Sequence, residues 1–224
     1  LSLNAEAKDF AIQLNNTHLL GKGGYGDVYA IHNKQSRKWV ALKQINVDAA
    51  TKNTAAKEIN ALIKLCAPEV TRFYGHMEES LGSGRIYSLF LELAYCSLEG
   101  ILYDNTVKLP WSIRLQIALE IVTGLCELHQ HGIRHGDIKP GNVLIGQDLH
   151  VRLTDFGLAE TSNTLRNTSA KSSKSGIATA LWDAPEAFED QPKTNASDMY
   201  SYGLVAWSLF TKKKLYEGRS EERR

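Results

Sequence analysis

Apolar positions recur with strand-like spacing in the first part of the chain and with helical spacing afterwards. Val28, Tyr29 and Ile31 precede a polar stretch at 32–38, and residues 39–45 resume a β-branched and aromatic character. Two strands of a hairpin are expected there. Residues 54–66 change to helical spacing. Residues 70–74 and 86–93 read as strands again, parted by the turn-like Leu81-Gly82-Ser83-Gly84. After Leu98 the character changes. Residues 111–131 carry Ile117, Ile121, Leu125 and Leu128 on one face, closed by Gly132, which predicts a long core helix. Two short apolar strands are expected at 143–145 and 151–153, joined by Gly146-Gln147-Asp148. A polar, Ser/Thr-rich loop spans 160–175, and a second buried helix is expected at 198–210.

Composition narrows the classes. With 224 residues, 43% hydrophobic and 23% charged, the chain can bury a core and is far from the composition of a disordered protein. Its length suits one large or bilobal unit. Lys and Arg number 26 against 25 Asp and Glu, a net charge of +1, so nothing general draws the chain to nucleic acid or an anionic membrane. Any function must therefore be local. Cys66, Cys96 and Cys126 are widely spaced and form no C-x-x-C pair, which excludes a disulfide framework or zinc knuckle and favours a reducing, cytoplasmic setting. No apolar run approaches the length of a membrane span, and the opening Leu1-Ser2-Leu3-Asn4 is neither a signal peptide nor a natural initiator, as expected of a soluble fragment.

Chemistry concentrates in a few segments. Gly21-Lys22-Gly23-Gly24-Tyr25-Gly26-Asp27-Val28 has the spacing G-x-G-x-x-G-x-V. Glycines so placed let backbone N–H groups approach phosphate oxygens, and a run into a further strand suits a flap over phosphates better than a dinucleotide fingerprint, which opens a helix. A plain flexible hairpin would carry the same spacing. Lys43, within Val40-Ala41-Leu42-Lys43, puts an ammonium in an apolar strand, where it needs a partner. Glu58 shares a helix face with Leu62 and Leu65 and is the natural neutraliser. His135-Gly136-Asp137-Ile138-Lys139-Pro140-Gly141-Asn142 follows the long helix, Asp155-Phe156-Gly157 follows the second short strand, and Ala184-Pro185-Glu186 lies beyond.

In this order and over nearly the whole chain, these segments resemble the eukaryotic protein kinase catalytic domain. The resemblance implies an α+β, two-lobed fold: an antiparallel-sheet upper lobe with one helix over residues 1–93 and a mainly helical, partial lower lobe over 94–224, in a single domain whose last helices are missing. It implies ATP and Mg2+ as cofactors. Lys43, paired with Glu58, would hold the α- and β-phosphates; Asp137 would orient or deprotonate the substrate hydroxyl; Lys139 would steady the transferred group; Asn142 and Asp155 would hold magnesium, a hard cation that prefers oxygen. Leu20, Gly21, Gly23, Gly26, Val28, Ala41, Leu91, Glu92, Ala94 and Leu144 would complete the nucleotide site, with Glu92-Leu93-Ala94 as the hinge and Leu91 guarding the back pocket. Leu62, Phe73, His135 and Phe156 would stack as an internal column anchored by Asp198. Lys139-Pro140 and Thr179, which would bond Asp137 and Lys139, resemble the Ser/Thr-specific form, and Trp182 with residues 197–203 resembles the tyrosine-kinase-like branch. The implied function is phosphoryl transfer from ATP to Ser/Thr hydroxyls of a protein substrate, with a regulatory partner or flanking domains.

Three features depart from the family pattern. Gly136 stands where an arginine usually pairs with a phosphorylated activation loop, so phosphorylation at Thr161, Ser162, Thr164, Thr168, Ser169, Ser172, Ser173 or Ser175 is expected to matter less. Ala178 replaces a glycine, and Asp183 precedes Ala184. The chain runs only to Arg224, so Leu204, Val205, Trp207 and Phe210 are expected to be partly uncovered, the chain less stable than a complete domain, and the family's arginine partner of Glu186 absent. His-Gly-Asp also occurs in small-molecule phosphotransferases of the aminoglycoside and choline kinase type, a second reading. A third is a pseudokinase scaffold, against which Lys43, Asp137 and Asp155 are all present.

Overall fold

The computed structural model describes residues 19–23, 26–33, 37–47, 52–81, 84–161, 180–189 and 192–216. Alternating apolar residues build an antiparallel sheet from β1 (Leu19–Gly23), β2 (Gly26–Asn33), β3 (Lys38–Val47), β4 (Phe73–Leu81) and β5 (Gly84–Glu92), in the order β1-β2-β3-β5-β4. The period of two sorts β3 cleanly. Val40 and Leu42 join Ile31 and Phe90 in a cluster on one face, whereas Ala41 and Ile45 belong to the main core. Lys43 lies on the Ala41 face, towards helix α1 (Lys52–Lys64), whose Glu58, Ile59 and Leu62 are buried.

One strand differs from expectation. The segment expected as a strand at 70–74 begins only at Phe73 and continues through polar residues to Leu81, as the sheet's edge strand. An edge strand pairs with one neighbour and leaves side chains to water, so it needs no apolar alternation. Val70 instead bridges Leu153 in parallel, with Thr71 N–H donating to Leu153 O (2.9 Å) and Leu153 N–H to Glu69 O (2.7 Å). This link ties the first sheet to the second half of the chain.

There, β6 (Cys96–Ser97), β8 (Val143–Ile145) and β9 (Val151–Leu153) form a small sheet, and β7 (Ile133–Arg134) pairs with β10 (Glu160–Thr161). Short α2 (Leu98–Leu102) precedes the long α3 (Trp111–Gln130). Ile117, Ile121, Leu125 and Leu128 of α3 are buried as their spacing requires. Gly124 allows α3 to approach β9: a Cβ there would lie 2.9 Å from Leu153 Cδ1. Gly132, at φ 67°, ends the helix.

The last helix, α4 (Asn195–Thr211), starts at a reciprocal capping box between Thr194 and Ser197. The expected uncovered patch on α4 is smaller than its sequence suggests. Val205 is fully buried in the main core, and Phe210 stacks on Trp111 of α3 with ring centroids 5.0 Å apart. Trp207 remains 45% exposed. Among the described residues no helix is long and apolar enough to cross a membrane.

Candidate active site

The strand that carries Lys43 runs beside α1, so its ammonium meets the Glu58 carboxylate in both oxygens, at 2.7 and 2.9 Å. Asp155 Oδ1 accepts from the same ammonium at 3.0 Å. Lys43 and Glu58 are buried, and Asp155 is the more open of the two carboxylates. Burial works against the Lys43 charge, but the fields of Glu58 and then Asp155 more than offset it and hold its pKa above the ordinary lysine range. The carboxylates part ways. Burial, helped by the Asp155 charge, pushes Glu58 up against the pull of Lys43. Burial also opposes ionisation of Asp155, but Lys43, with His135 and Lys139 further off, keeps it below the usual carboxylate range. Asp155 takes a left-handed backbone conformation (φ 66°, ψ 68°), an unusual state for a residue with a Cβ, which turns its side chain into the cleft wall.

Asp137 sits on a loop held from below. Asp198, in the first turn of α4, accepts from His135 N–H (2.9 Å) and Gly136 N–H (2.8 Å), and His129 Nε2 lies 2.9 Å from the same carboxylate. Burial opposes the Asp198 charge, yet these partners, led by His129, keep its pKa below the ordinary range. His135 packs its ring on Phe156 (centroids 5.0 Å) and meets Thr154 O at 3.0 Å, a structural position. Leu62 is buried in the same core, and Phe73 packs against that core.

The Asp137 carboxylate is used asymmetrically. Oδ2 accepts from Lys139 Nζ and from Asn142 Nδ2, each at 2.8 Å. Oδ1 is buried and has no hydrogen-bond partner. An orphaned buried acceptor is costly and therefore points to an absent donor. Asn142 Nδ2 also donates to Asp137 O, which commits the nitrogen end of the amide and leaves the oxygen end for another ligand.

Above these groups lies a cleft of about 480 Å³. Leu20, Gly21, Gly26, Val28, Ala41, Lys43, Leu91, Glu92, Ala94 and Leu144 all line it, with Asn142 and Asp155 at its inner end. Val28 and Ala41 form a roof because β2 and β3 pair beside each other, and Leu144 forms a floor from β8. Gly26 is the glycine the backbone needs: its φ is 134°, and a Cβ would sit 2.2 Å from Gln44 O. Gly23 pairs with Gly26 across the β1–β2 turn. Gly24, Tyr25, Thr179 and the loop hydroxyls from Ser162 to Ser175 lie outside the described residues.

Several groups escaped the sequence reading. Thr71, Tyr95, Cys96 and Thr154 also line the cleft. Arg152 Nε donates to the Glu92 carboxylate at 3.0 Å, pinning the end of β5 to β9, and Asp148 takes its other end. Lys193 Nζ donates to Gly136 O at 2.9 Å and pairs with Asp183. Glu186 accepts from Ser197 Oγ. No local signal marks the Arg152–Glu92 or Lys193–Gly136 contacts, because those partners are far apart in the chain. Gly136 and Asp183 were at least visible as departures.

Comparison with known proteins agrees with this arrangement. The sequence matches the protein kinase domain over residues 14–224. It is 30% identical over 214 residues to a dual specificity protein kinase, shkC, of Dictyostelium discoideum, covering 93% of this chain and 41% of that protein. It is 30% identical over 203 residues to receptor-interacting serine/threonine-protein kinase 3 of Rattus norvegicus (88% of this chain, 41% of that protein), and 29% identical to the serine/threonine-protein kinase ppk11 of Schizosaccharomyces pombe (92% and 64%). The chain thus spans less than two thirds of the length of these relatives. A cleft roofed by a glycine turn, a lysine shared by two carboxylates and a match along nearly all of the sequence have one common explanation: this chain belongs to the protein kinase domain family.

Proposed function

We propose that the chain is a single protein kinase domain, with residues 1–93 as upper lobe and 94–224 as lower lobe, that transfers the γ-phosphoryl group of ATP to serine and threonine hydroxyls of protein substrates. The observation that carries this reading is Asp137 Oδ1, a buried acceptor without a donor beside a cleft of nucleotide size. A substrate hydroxyl would supply that donor. As its oxygen forms the new O–P bond and the bridging bond to the β-phosphate breaks, its proton passes to Asp137. Lys139, 2.8 Å from Asp137 Oδ2, would help neutralise the charge of the transferred group. The purine would lie between Val28, Ala41 and Leu144, with its edge on the backbone of residues 92–94.

Lys43 is the phosphate ligand in this reading. An ammonium has three donors, and Glu58 and Asp155 occupy all of them. A phosphate must displace one, and Asp155, at 3.0 Å and more open than Glu58, is the acceptor to yield. Asp155 and the amide oxygen of Asn142 fit Mg2+, being hard oxygen donors on the cleft wall. Bound there, the ion would neutralise phosphate charge. Thr179, Lys139 and Pro140 support Ser/Thr over tyrosine specificity, and dual-specificity names among the relatives make this the finer part of the proposal. A cytoplasmic setting belongs to the same reading, resting on three free thiols. The small-molecule phosphotransferase reading is disfavoured, since the relatives named above are protein kinases.

The test is transfer of radiolabelled phosphate from ATP to a generic protein substrate, with phosphoamino acid analysis of the product. Phosphoserine and phosphothreonine are expected. Asp137→Asn should lower kcat about 100- to 10,000-fold while ATP still binds. Turnover unaffected by Asp137→Asn, or label only on small alcohols and amines, would overturn the reading.

A further inference from the structure

Two departures from the family pattern, Gly136 and Asp183, are brought together by one side chain. Lys193 Nζ donates to Gly136 O at 2.9 Å and pairs with the Asp183 carboxylate. Lys193 and Asp183 are largely withdrawn from water, with side chains 18% and 11% exposed. An ammonium so placed is held by strong, charge-assisted bonds rather than by a loose surface contact.

The carbonyl it grips belongs to the peptide that leads directly into Asp137. The neighbouring N–H groups of His135 and Gly136 are already held by Asp198. Lys193 and Asp198 belong to one short stretch of chain at the start of α4, which thereby binds the loop before Asp137 by its donors and by its acceptor. Nothing at position 136 itself can serve this purpose. Gly136 has φ 78°, and a Cβ would stand 3.0 Å from Leu158 O, so a side chain there would be crowded as well as strained. The cation comes from Lys193 instead. Asp183, in turn, fixes the ammonium from the segment that leads into Ala184.

We infer that Lys193, oriented by Asp183, is a positioning residue for Asp137: it locks the Gly136–Asp137 peptide and couples it to the segment at 180–184. This inference rests on the proposed phosphoryl-transfer activity. Lys193 is not among the residues lining the nucleotide cleft. Its loss therefore acts on the chemical step, through the placement of Asp137, and not on nucleotide affinity.

The experiment uses the full-length protein carrying this chain. Lys193→Met keeps the aliphatic stem and removes the donor. Its kcat should fall about 10- to 100-fold with the KM for ATP unchanged within a factor of about two, as a small misplacement of a reacting group demands. Lys193→Arg, which keeps a charged donor, should recover most of kcat. Asp183→Asn, which leaves Lys193 on the carbonyl, should cost less than Lys193→Met. Should Lys193→Met fail to fold, Lys193→Gln replaces it, with the same fall in kcat at constant ATP KM expected. A folded Met or Gln variant with wild-type kcat, an equal loss in Lys193→Arg, or a loss confined to ATP KM would overturn the inference. Wild-type turnover that is abolished by Asp137→Asn alongside any of those results leaves the kinase reading standing. Turnover insensitive to Asp137→Asn removes both.

Discussion

The two sides of the cleft place their charges by different physics. On the Lys43 side, the ammonium from β3 meets Glu58 of α1 and Asp155, which follows β9, as ions, with one cation between two carboxylates. On the lower side, Asp198 holds the loop of Asp137 through backbone N–H groups and His129, and Asn142 and Lys139 hold the Asp137 carboxylate. Paired ions can be rearranged when a new charge arrives. Hydrogen bonds to the backbone fix a geometry. In the proposed reading, this difference would let the phosphate end adapt on binding while the acceptor for the substrate proton stays in place.

The largest effect should come from breaking the ionic side. Lys43→Met is expected to lower activity at least about 100-fold and to cost about 3–5 kcal/mol of stability, since it leaves two carboxylates without their cation. Denaturant titration and turnover measure the two losses. Adding Glu58→Leu should restore part of the stability and none of the activity, because a buried pair can be replaced by apolar packing but its chemistry cannot.

The hydrogen-bonded side should respond next and with a distinct pH signature. Asp198→Asn is expected to cost about 2–3 kcal/mol by weakening charge-assisted bonds to His135, Gly136 and His129. The folded-state pKa of Asp198 lies below its unfolded value, so its contribution is present above about pH 4 and is lost as pH falls through the lower folded value. The stability gap between wild type and variant should therefore persist above about pH 4 and close as the pH falls further. A gap unchanged by acid would show that the charge of Asp198 is not what holds the loop.

Smaller effects sharpen the contrast. Gly136→Ala should cost about 1–2 kcal/mol through its left-handed backbone and the crowding at Leu158 O. Arg152→Ala, which frees Glu92 of the hinge, should raise the KM for ATP about two- to five-fold and leave kcat alone, as expected of a partly exposed pair.

Where local pattern reports burial, the chain is readable from its sequence. The β2–β3 hairpin, α1, α3 and the pair β8–β9 follow from apolar periodicity, and the motifs around Lys43, Asp137 and Asp155 stand out because polar residues interrupt apolar elements there. Only the start of β4 was readable, since an edge strand carrying polar residues has no alternation to reveal the rest. The stacking of Phe210 on Trp111 of α3 was hidden for another reason: helical spacing tells which residues share a face and not which neighbour covers it.

The sequence alone determined the order of the longer elements, the residue types of the site and the need of Lys43 for a carboxylate, because periodicity and the cost of burying charge act locally along the chain. Only the tertiary structure decided that Lys43 is shared by two carboxylates, that Arg152 holds Glu92, and that Lys193 joins Gly136 to Asp183. Those are meetings of residues distant in the chain. Their distances depend on how the sheet, the long helix and the last helix pack, which no local pattern encodes.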